Sequence, residues 1–290
     1  MTLRAHLAVV AAAVLFGTTF FVVKDAVAEA QPIPFLAARF LIAAAVLFPF
    51  ARRSGRLPSE TGVLRAGVLC GLALAAGYVF QTVGLQYTSS SVSAFITYLL
   101  VVIVPVLSAV ILRRVPGPAV ITGVVLATAG LFLLTGGGLS GIHKGELLTI
   151  GCAVAFAIHI VLLADLAPRF NTARLNAVQL LAVGAVLLVP GFFTGGYAFP
   201  AKAWLAAVYT AVAASAIAFA LQVWGQRRVG PTRTSLLLMI EPVAAAVIGV
   251  ITGDHLGWKG AAGAALILAG IAAAELGPML RPRSRMLVDG

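Results

Sequence analysis

The sequence predicts an all-α integral membrane protein whose ten transmembrane helices form two inverted five-helix repeats around a central cavity. Three observations lead to this prediction: the composition, a succession of apolar runs, and the match of the chain with itself. Of the 290 residues, 61% are hydrophobic and 10% are charged. Such a composition is too apolar for a water-soluble domain of this length.

Ten apolar runs of about 20 residues are each long enough to cross roughly 30 Å of hydrocarbon. Short loops rich in glycine, proline and serine separate them, and no soluble domain fits between them. The predicted spans cover residues 5–24, 33–51, 65–86, 91–112, 118–136, 145–164, 173–194, 203–225, 231–252 and 257–277.

Basic residues give the orientation. Fifteen of the 20 lysines and arginines lie on one side of the predicted spans and four on the other, while Arg39 lies within a span. Short cytoplasmic loops retain positive charge, so both termini are predicted to be cytoplasmic. The net charge of +11 is thus a topology signal, and no nucleic-acid-binding motif accompanies it. Cys70 and Cys152 fall inside spans, which predicts neither a disulfide nor a metal site.

The chain matches itself at an offset of 140 residues, with a slip of one. Arg39 falls on Gln179, and three glycines of span five fall on three of span ten: Gly117, Gly123 and Gly130 on Gly257, Gly263 and Gly270. At an offset of 141, Tyr78, Gln81 and Gly84 fall on Phe219, Gln222 and Gly225. Each half contains five spans, an odd number, so the second half is predicted to enter the membrane with the opposite orientation to the first. The predicted units are residues 1–140, residues 141–280 and a cytoplasmic tail at 281–290.

A carboxylate and a proline interrupt the ninth span at Glu241-Pro242. A charge at the centre of a membrane helix costs roughly 3 kcal/mol, so Glu241 is predicted to face a cavity or a partner. Pro242 is predicted to kink its helix, as is Pro105 in the first half. Glu241 could be a coupling carboxylate, a ligand for a substrate ammonium or a neutral structural acid, and the sequence leaves all three open.

Ten spans in two inverted halves, the segment Ala37-Ala38-Arg39-Phe40, Gln179 at the equivalent place and Glu241-Pro242 together resemble the EamA branch of the drug/metabolite transporter superfamily. Within that branch the chain resembles a bacterial aromatic-amino-acid exporter. The first half departs from the pattern, because Pro105 stands in an apolar setting without a neighbouring acid. The resemblance implies an inner-membrane exporter of amino acids whose spans enclose a central cavity.

Aromatic and amide side chains three residues apart share a helix face and suit an amino-acid side chain and its polar end. The candidate cavity residues are therefore Tyr78, Gln81, Phe95, Tyr98, Phe219 and Gln222, together with Glu241. The aromatic rings favour Phe, Tyr, Trp or Met as the substrate. Thr is a further candidate substrate. Packing or interface anchoring is the alternative role for the aromatic residues.

Four further polar residues within spans are predicted to gate or couple transport: Thr19, Arg39, His159 and Gln179. Their depths, and those of Gln81 and Gln222, suggest two mirrored polar layers that open alternately on either side of the substrate. Arg39 could instead extend outward to the interface, and His159 could be a core histidine with satisfied hydrogen bonds.

The sequence argues against two other classes of membrane protein. A nucleotide-driven pump is excluded within this chain, because no phosphate-binding loop is present. A membrane-embedded enzyme would need a catalytic cluster, and the nine acidic residues are scattered. An exporter of other metabolites or of cationic drugs remains an alternative. The expectation is a monomer in contact with lipid that needs no cofactor.

Overall fold

A computed structural model describes residues 2–54, 62–136, 143–251, 255 and 257–280, so the predicted tail at 281–290 lies outside the described residues. The described residues are helical, without a β-strand among them. The helices are α1 (Thr2–Glu29), α2 (Pro32–Arg53), α3 (Val63–Gly84), α4 (Ser90–Tyr98), α5 (Leu100–Ile111), α6 (Pro118–Leu134), α7 (Lys144–Leu166), α8 (Thr172–Phe193), α9 (Ala201–Thr210), α10 (Ala218–Val229), α11 (Pro231–Leu238), α12 (Ile240–Ile251) and α13 (Gly257–Leu280). A 3₁₀ turn (Ala167–Arg169) follows α7, and a π-helical segment (Ala211–Ile217) joins α9 to α10.

Eight helical stretches are long and apolar enough to cross a membrane: Pro32–Arg53, Val63–Gly84, Val92–Ile111, Lys144–Arg169, Thr172–Phe193, Ala201–Val229, Pro231–Ile251 and Gly257–Leu276. Two shorter apolar helices, Leu3–Thr19 and Pro118–Leu134, accompany them. The prediction of an all-helical membrane protein is confirmed at this level. The helix ends differ from the predicted spans by up to five residues, and they extend beyond the span in some helices, such as α1, and stop short of it in others, such as α3.

Local sequence explains where several helices begin. Pro32, Pro118 and Pro231 each occupy the start of a helix, where the missing N–H of proline costs no hydrogen bond. The Asn171 side chain accepts hydrogen bonds from the backbone N–H groups of two residues in the first turn of α8, and this caps the helix.

Two membrane helices are interrupted at equivalent places. The helix is broken at Leu99, between α4 and α5, and at Met239, between α11 and α12. Pro242 explains the second break, since it can donate no hydrogen bond to the Leu238 carbonyl one turn earlier. The first break does not coincide with the predicted kink, because Pro105 lies inside α5, more than a turn beyond Leu99.

A seam of glycines joins α6 to α13, which run antiparallel along each other. A Cβ atom on Gly123 would lie 2.5 Å from the Gly270 carbonyl oxygen, and one on Gly130 would lie 2.6 Å from that of Gly263. Such distances leave no room for any side chain, so the backbones themselves touch. These four glycines therefore contact one another in two reciprocal pairs.

The second helix pair, α2 with α8, is also antiparallel. Arg174 at the start of α8 donates hydrogen bonds to the carbonyl oxygens of Ala51 and Ser54, where α2 ends. At the other end, Gly191 of α8 lies against Pro34, near the start of α2. The two helices thus run in opposite directions over their whole length.

Two more helix pairs share one type of contact. Gly84 of α3 faces the Gly145 carbonyl of α7, and Gly225 of α10 faces the Ala5 carbonyl of α1. Gly84 and Gly225 are 141 residues apart, and Ala5 and Gly145 are 140 apart. Each half therefore contributes the same contact with the roles of the halves exchanged.

The helix ends form two chemically different ends of the molecule. At the arginine-rich end, Arg174 meets the end of α2 and Arg227 donates a hydrogen bond to Thr172. At the arginine-poor end, Lys202 lies 3.6 Å from Glu29, and the surroundings carry no comparable arginine cluster among the described residues. The distribution agrees with the predicted sides of the loops, since the arginine-rich end is the one predicted to be cytoplasmic.

Replacing Gly130 by valine is expected to lower stability by about 1–3 kcal/mol or more, because the added carbons meet backbone atoms that cannot yield. The measurement is thermal unfolding of the purified protein in detergent. Gly117→Ala is the matched control, because nothing lies within 4 Å of a Cβ at Gly117. An unchanged unfolding temperature for Gly130→Val would contradict the close seam.

Candidate functional site

Helices from both halves enclose a central cavity of about 100 Å³. A water molecule needs roughly 10–15 Å³ by this measure, so several waters fit, and a larger guest requires a wider state. Nine of the eleven residues predicted for the cavity, gate or coupling line it: Thr19, Arg39, Tyr78, Gln81, Tyr98, His159, Phe219, Gln222 and Glu241. The helices that supply them are α1, α2, α3, α4, α7, α10 and α12.

Two predicted site residues lie outside the cavity lining. Phe95 stacks edge-on against Phe132, with ring centroids 5.8 Å apart, and faces an apolar groove instead. Residues three apart on a helix differ by about 60° in direction, and on α4 this separates Phe95 from Tyr98. The prediction that both face one cavity is wrong for Phe95. Gln179 is fully buried behind His159 and touches the cavity only through it.

Arg39 lies inside the protein and does not extend outward, since only 2% of its surface is exposed. Its Nε donates a 2.8 Å hydrogen bond to Ser215 Oγ on the π-helical segment. Its guanidinium carbon lies 5.0 Å from the centre of the Tyr78 ring and 5.3 Å from that of Phe40. The charge is therefore held by a hydroxyl and two ring faces at the cavity wall.

Glu241 occupies the first turn of α12, directly after the break at Met239. The N-terminus of a helix favours a negative charge, so the break places the carboxylate where the helix dipole supports it. Tyr98 lines the same cavity as Glu241. Arg39 is close enough to interact with it electrostatically, although the two described side chains form no direct ion pair. The cavity lining thus contains a carboxylate, that of Glu241, and a guanidinium, that of Arg39, which form no ion pair with each other.

Four aromatic rings cross the middle of the cavity. Phe16 packs edge-on against Phe219 at 5.1 Å, and Tyr78 packs edge-on against Phe156 at 5.2 Å. Tyr78 and Phe219 then meet each other at 6.4 Å. The two outer contacts are equivalent under the offsets of 140 and 141 residues, so the row of rings is built twice from matching positions.

Hydrogen bonds between buried amides close the cavity toward the arginine-rich end. Gln226 donates a 2.5 Å hydrogen bond to the Ile160 carbonyl and accepts one from Gln222 at 3.3 Å. Beside them, His159 Nε2 and Gln179 Oε1 lie 3.0 Å apart, and Gln179 Nε2 donates to Asn176 at 2.6 Å. These side chains join α7, α8 and α10.

The cavity extends further toward the arginine-poor end. Val23, Thr82 and Leu85 line it there. Their counterparts in the second half are almost fully buried and line no part of the cavity: Leu163, Val223 and Gln226. The described conformation therefore gives more access from the arginine-poor end.

Several residues of this site were not predicted from the sequence, among them the rings of Phe16 and Phe156 and the buried polar residues Asn176, Ser215 and Gln226. Asn176 and Gln226 carried a usable signal, because each is one helical turn from a predicted amide, Gln179 and Gln222 respectively. Ser215 stands in an alanine-rich run with no polar neighbour. The signal for it was the slip of the internal offset from 140 to 141, which requires an inserted residue between Gln179 and Phe219, where the π-helical segment lies.

Comparison with known proteins decides the family. The sequence profile of the EamA-like transporter family matches residues 3–136 and 143–274. The chain belongs to the EamA-like transporter family. The predicted EamA membership is thereby confirmed, and the chain is a multi-pass membrane transporter.

Relatives of this EamA-like protein are also transporters. An uncharacterized transporter of Archaeoglobus fulgidus is 31% identical over 86% of this chain and 78% of its own. The uncharacterized transporter YcxC of Bacillus subtilis is 27% identical over 94% and 93%. The uncharacterized inner membrane transporter YedA of Escherichia coli is 26% identical over 83% and 80%. A protein of known crystal structure matches with a TM-score of 0.82 over 95% of this chain and 98% of its own at 24% identity, which shows the fold alone.

Ser215→Ala is expected to lower the free energy of unfolding by about 1–3 kcal/mol, because it leaves a buried N–H of Arg39 without its acceptor. Thermal unfolding in detergent measures the loss. Ser108→Ala is the matched control, because the Ser108 hydroxyl is equally buried and has no hydrogen-bond partner among the described residues. Equal effects of the two substitutions would show that Ser215 does not hold Arg39.

Proposed function

We propose that this EamA-like transporter exports amino acids, preferably aromatic and other large apolar ones, across a bacterial inner membrane by alternating access. The observation that carries the proposal is the convergence of Arg39, Glu241 and a row of four aromatic rings on one cavity between the two halves. The name of the Escherichia coli relative, an inner membrane transporter, supports the location.

The chemistry of the cavity matches a zwitterion with an apolar side chain. A guanidinium can hold a carboxylate in a charge-assisted grip, and Glu241 can accept hydrogen bonds from an ammonium group. The rings of Tyr78 and Phe219 offer flat apolar area, where stacking adds about 1 kcal/mol per pair. Substrate binding would use the free capacity of both charged groups, since Arg39 and Glu241 form no ion pair with each other.

Inverted repeats provide the means of alternation. The two segments matched by the family profile begin 140 residues apart, at positions 3 and 143. The reciprocal glycine contacts and the paired edge-on rings repeat at the same offsets, with α6 antiparallel to α13 and α2 antiparallel to α8. These features support two units, residues 1–140 and 141–280, threaded in opposite directions. Binding near the midplane of such repeats, with access to each side in turn, is the expected consequence.

The two ends of the cavity would then exchange roles during transport. In the described conformation, the amide cluster of Gln222, Gln226 and His159 with Gln179 closes the arginine-rich end. Loading from the cytoplasm requires this cluster to separate. Closure of the arginine-poor end would bring the repeat counterparts Gln81 and Thr19 toward each other, with Arg39 beside them.

A second candidate function is export of cationic compounds. Glu241 favours it, because a deep carboxylate without a direct ion pair is a ligand for an organic cation. Arg39 disfavours it, because a second positive charge in the same cavity raises the electrostatic cost of a cation that lacks its own carboxylate.

Transport by the purified protein in liposomes distinguishes the two functions. Labelled Phe, Trp, Met and Thr are expected to move, with Phe and Trp fastest, and a lipophilic cation is not. Movement of the cation alone would refute the amino-acid proposal. Glu241→Gln is expected to lower Phe transport by about tenfold or more, the loss of one charge-assisted contact worth about 1.5–3 kcal/mol. Tyr78→Ala and Gln81→Ala are expected to lower it as well.

The matched control for Glu241→Gln is Asp165→Asn, because Asp165 forms an exposed ion pair with Arg169 far from the cavity lining. Equal amounts of folded protein in the membrane are required for each variant. A uniform effect of all substitutions, the control included, would show loss of fold and not loss of binding.

Single cysteines at Arg53 and Thr194 test the inverted threading. These exposed residues end α2 and α8 at opposite ends of the molecule. A membrane-impermeant maleimide is expected to label Thr194→Cys in intact cells and Arg53→Cys only in inverted vesicles. The natural cysteines do not interfere, because Cys70 and Cys152 are fully buried. Labelling of both from one side would make the repeats parallel.

A further inference from the structure

An apolar groove of about 940 Å³ runs along the outside of the molecule between α5 and α6. It exists because α6 packs along α13 and makes few contacts with α5, its neighbour in the chain. The walls are aliphatic and aromatic, and the one hydroxyl among them, that of Thr128, already donates to the Val124 carbonyl. The groove therefore offers no hydrogen bond and suits a hydrocarbon chain.

The dimensions of the groove fit one acyl chain. The α6 residues along its wall extend from Val120 to Leu133, which is roughly 20 Å at 1.5 Å per residue. One leaflet contributes about half of a 30 Å hydrocarbon core. A chain entering from one surface would thus lie in the groove over the full depth of its leaflet.

Two arginines stand where the groove meets the arginine-rich end. Arg113 and Arg114 follow α5 directly, in the loop that contributes Pro116 to the groove wall. Both are exposed, and Arg113 is the one non-glycine residue with positive φ among the described residues, at 54°. Non-glycine residues rarely adopt this conformation. The Arg114 backbone N–H donates a 3.1 Å hydrogen bond to the Ser108 carbonyl, which ties the backbone of the pair to the end of α5, next to the groove residue Ala109.

The second half of the chain lacks this charge. The positions 140 residues after Arg113 and Arg114 are Gly253 and Asp254. The basic pair therefore does not follow from the repeat, and it belongs to the groove of the first half.

We propose that this groove binds an anionic phospholipid, with one acyl chain between α5 and α6 and the phosphate at Arg113 and Arg114. Basic pockets beside transmembrane helices attract anionic headgroups, and each arginine adds to the attraction. A second copy of this chain is a poorer occupant. In a symmetric dimer through this face, the arginine pairs of the two copies would lie at the same depth and repel each other.

Native mass spectrometry of the purified protein, equilibrated with equal amounts of phosphatidylglycerol and phosphatidylcholine, tests the proposal. The wild type is expected to retain phosphatidylglycerol about tenfold more than phosphatidylcholine. Arg113→Gln with Arg114→Gln is expected to abolish this preference. Ala109→Trp, which fills the groove, is expected to reduce the retention of both lipids.

Matched controls separate the site from general effects. Arg52→Gln with Arg53→Gln removes another exposed arginine pair at the same end. Val110→Trp places the same indole side chain on an exposed face of α5 outside the groove lining. Both are expected to retain phosphatidylglycerol as the wild type does. Equal retention of the two lipids by the wild type would overturn the proposal. A wild-type dimer that Ala109→Trp converts to monomer would overturn it in favour of a second copy.

Discussion

The cost of holding a charge away from water governs this structure. Arg39 and Glu241 lie deep within helices that are otherwise apolar, and neither has an ion-pair partner at contact distance among the described residues. Each is accommodated by a local irregularity of the backbone: the π-helical segment supplies Ser215 to Arg39, and the break at Met239 supplies a helix start to Glu241. Cavity, interrupted helix and inserted residue are thus consequences of keeping two ionisable groups inside a membrane protein.

Much of the fold could be predicted from the sequence, because hydrocarbon thickness and backbone satisfaction leave few solutions for an apolar chain. The internal offset also singled out glycines of spans five and ten, which the structure places against one another. The break at Leu99 could not be predicted, because no proline lies within a turn before or after it. It depends on tertiary surroundings that a single sequence does not contain.

The candidate site was predictable where a polar residue interrupts an apolar face, as for Glu241, Arg39 and Gln222. It was not predictable where the direction of a side chain decides its role. Phe95 and Tyr98 differ by a small rotation about α4, yet one faces the exterior groove and the other the central cavity. Ser215 depends on a one-residue insertion whose effect on helix phase is invisible in a run of alanines. Hydrophobic pattern locates helices well and gives their rotation only coarsely.

In the part of the chain that the structure describes, no residue of α6 or α13 lines the cavity, although the contact between these two helices is the most extensive there. The seam that fastens one half to the other is thereby separated from the groups that would recognise a solute. Substitutions in the cavity lining can therefore change substrate selectivity without disturbing the contact between α6 and α13, and substitutions in that contact can leave the cavity lining unchanged. This separation suits a fold that a protein of known crystal structure shares at only 24% sequence identity.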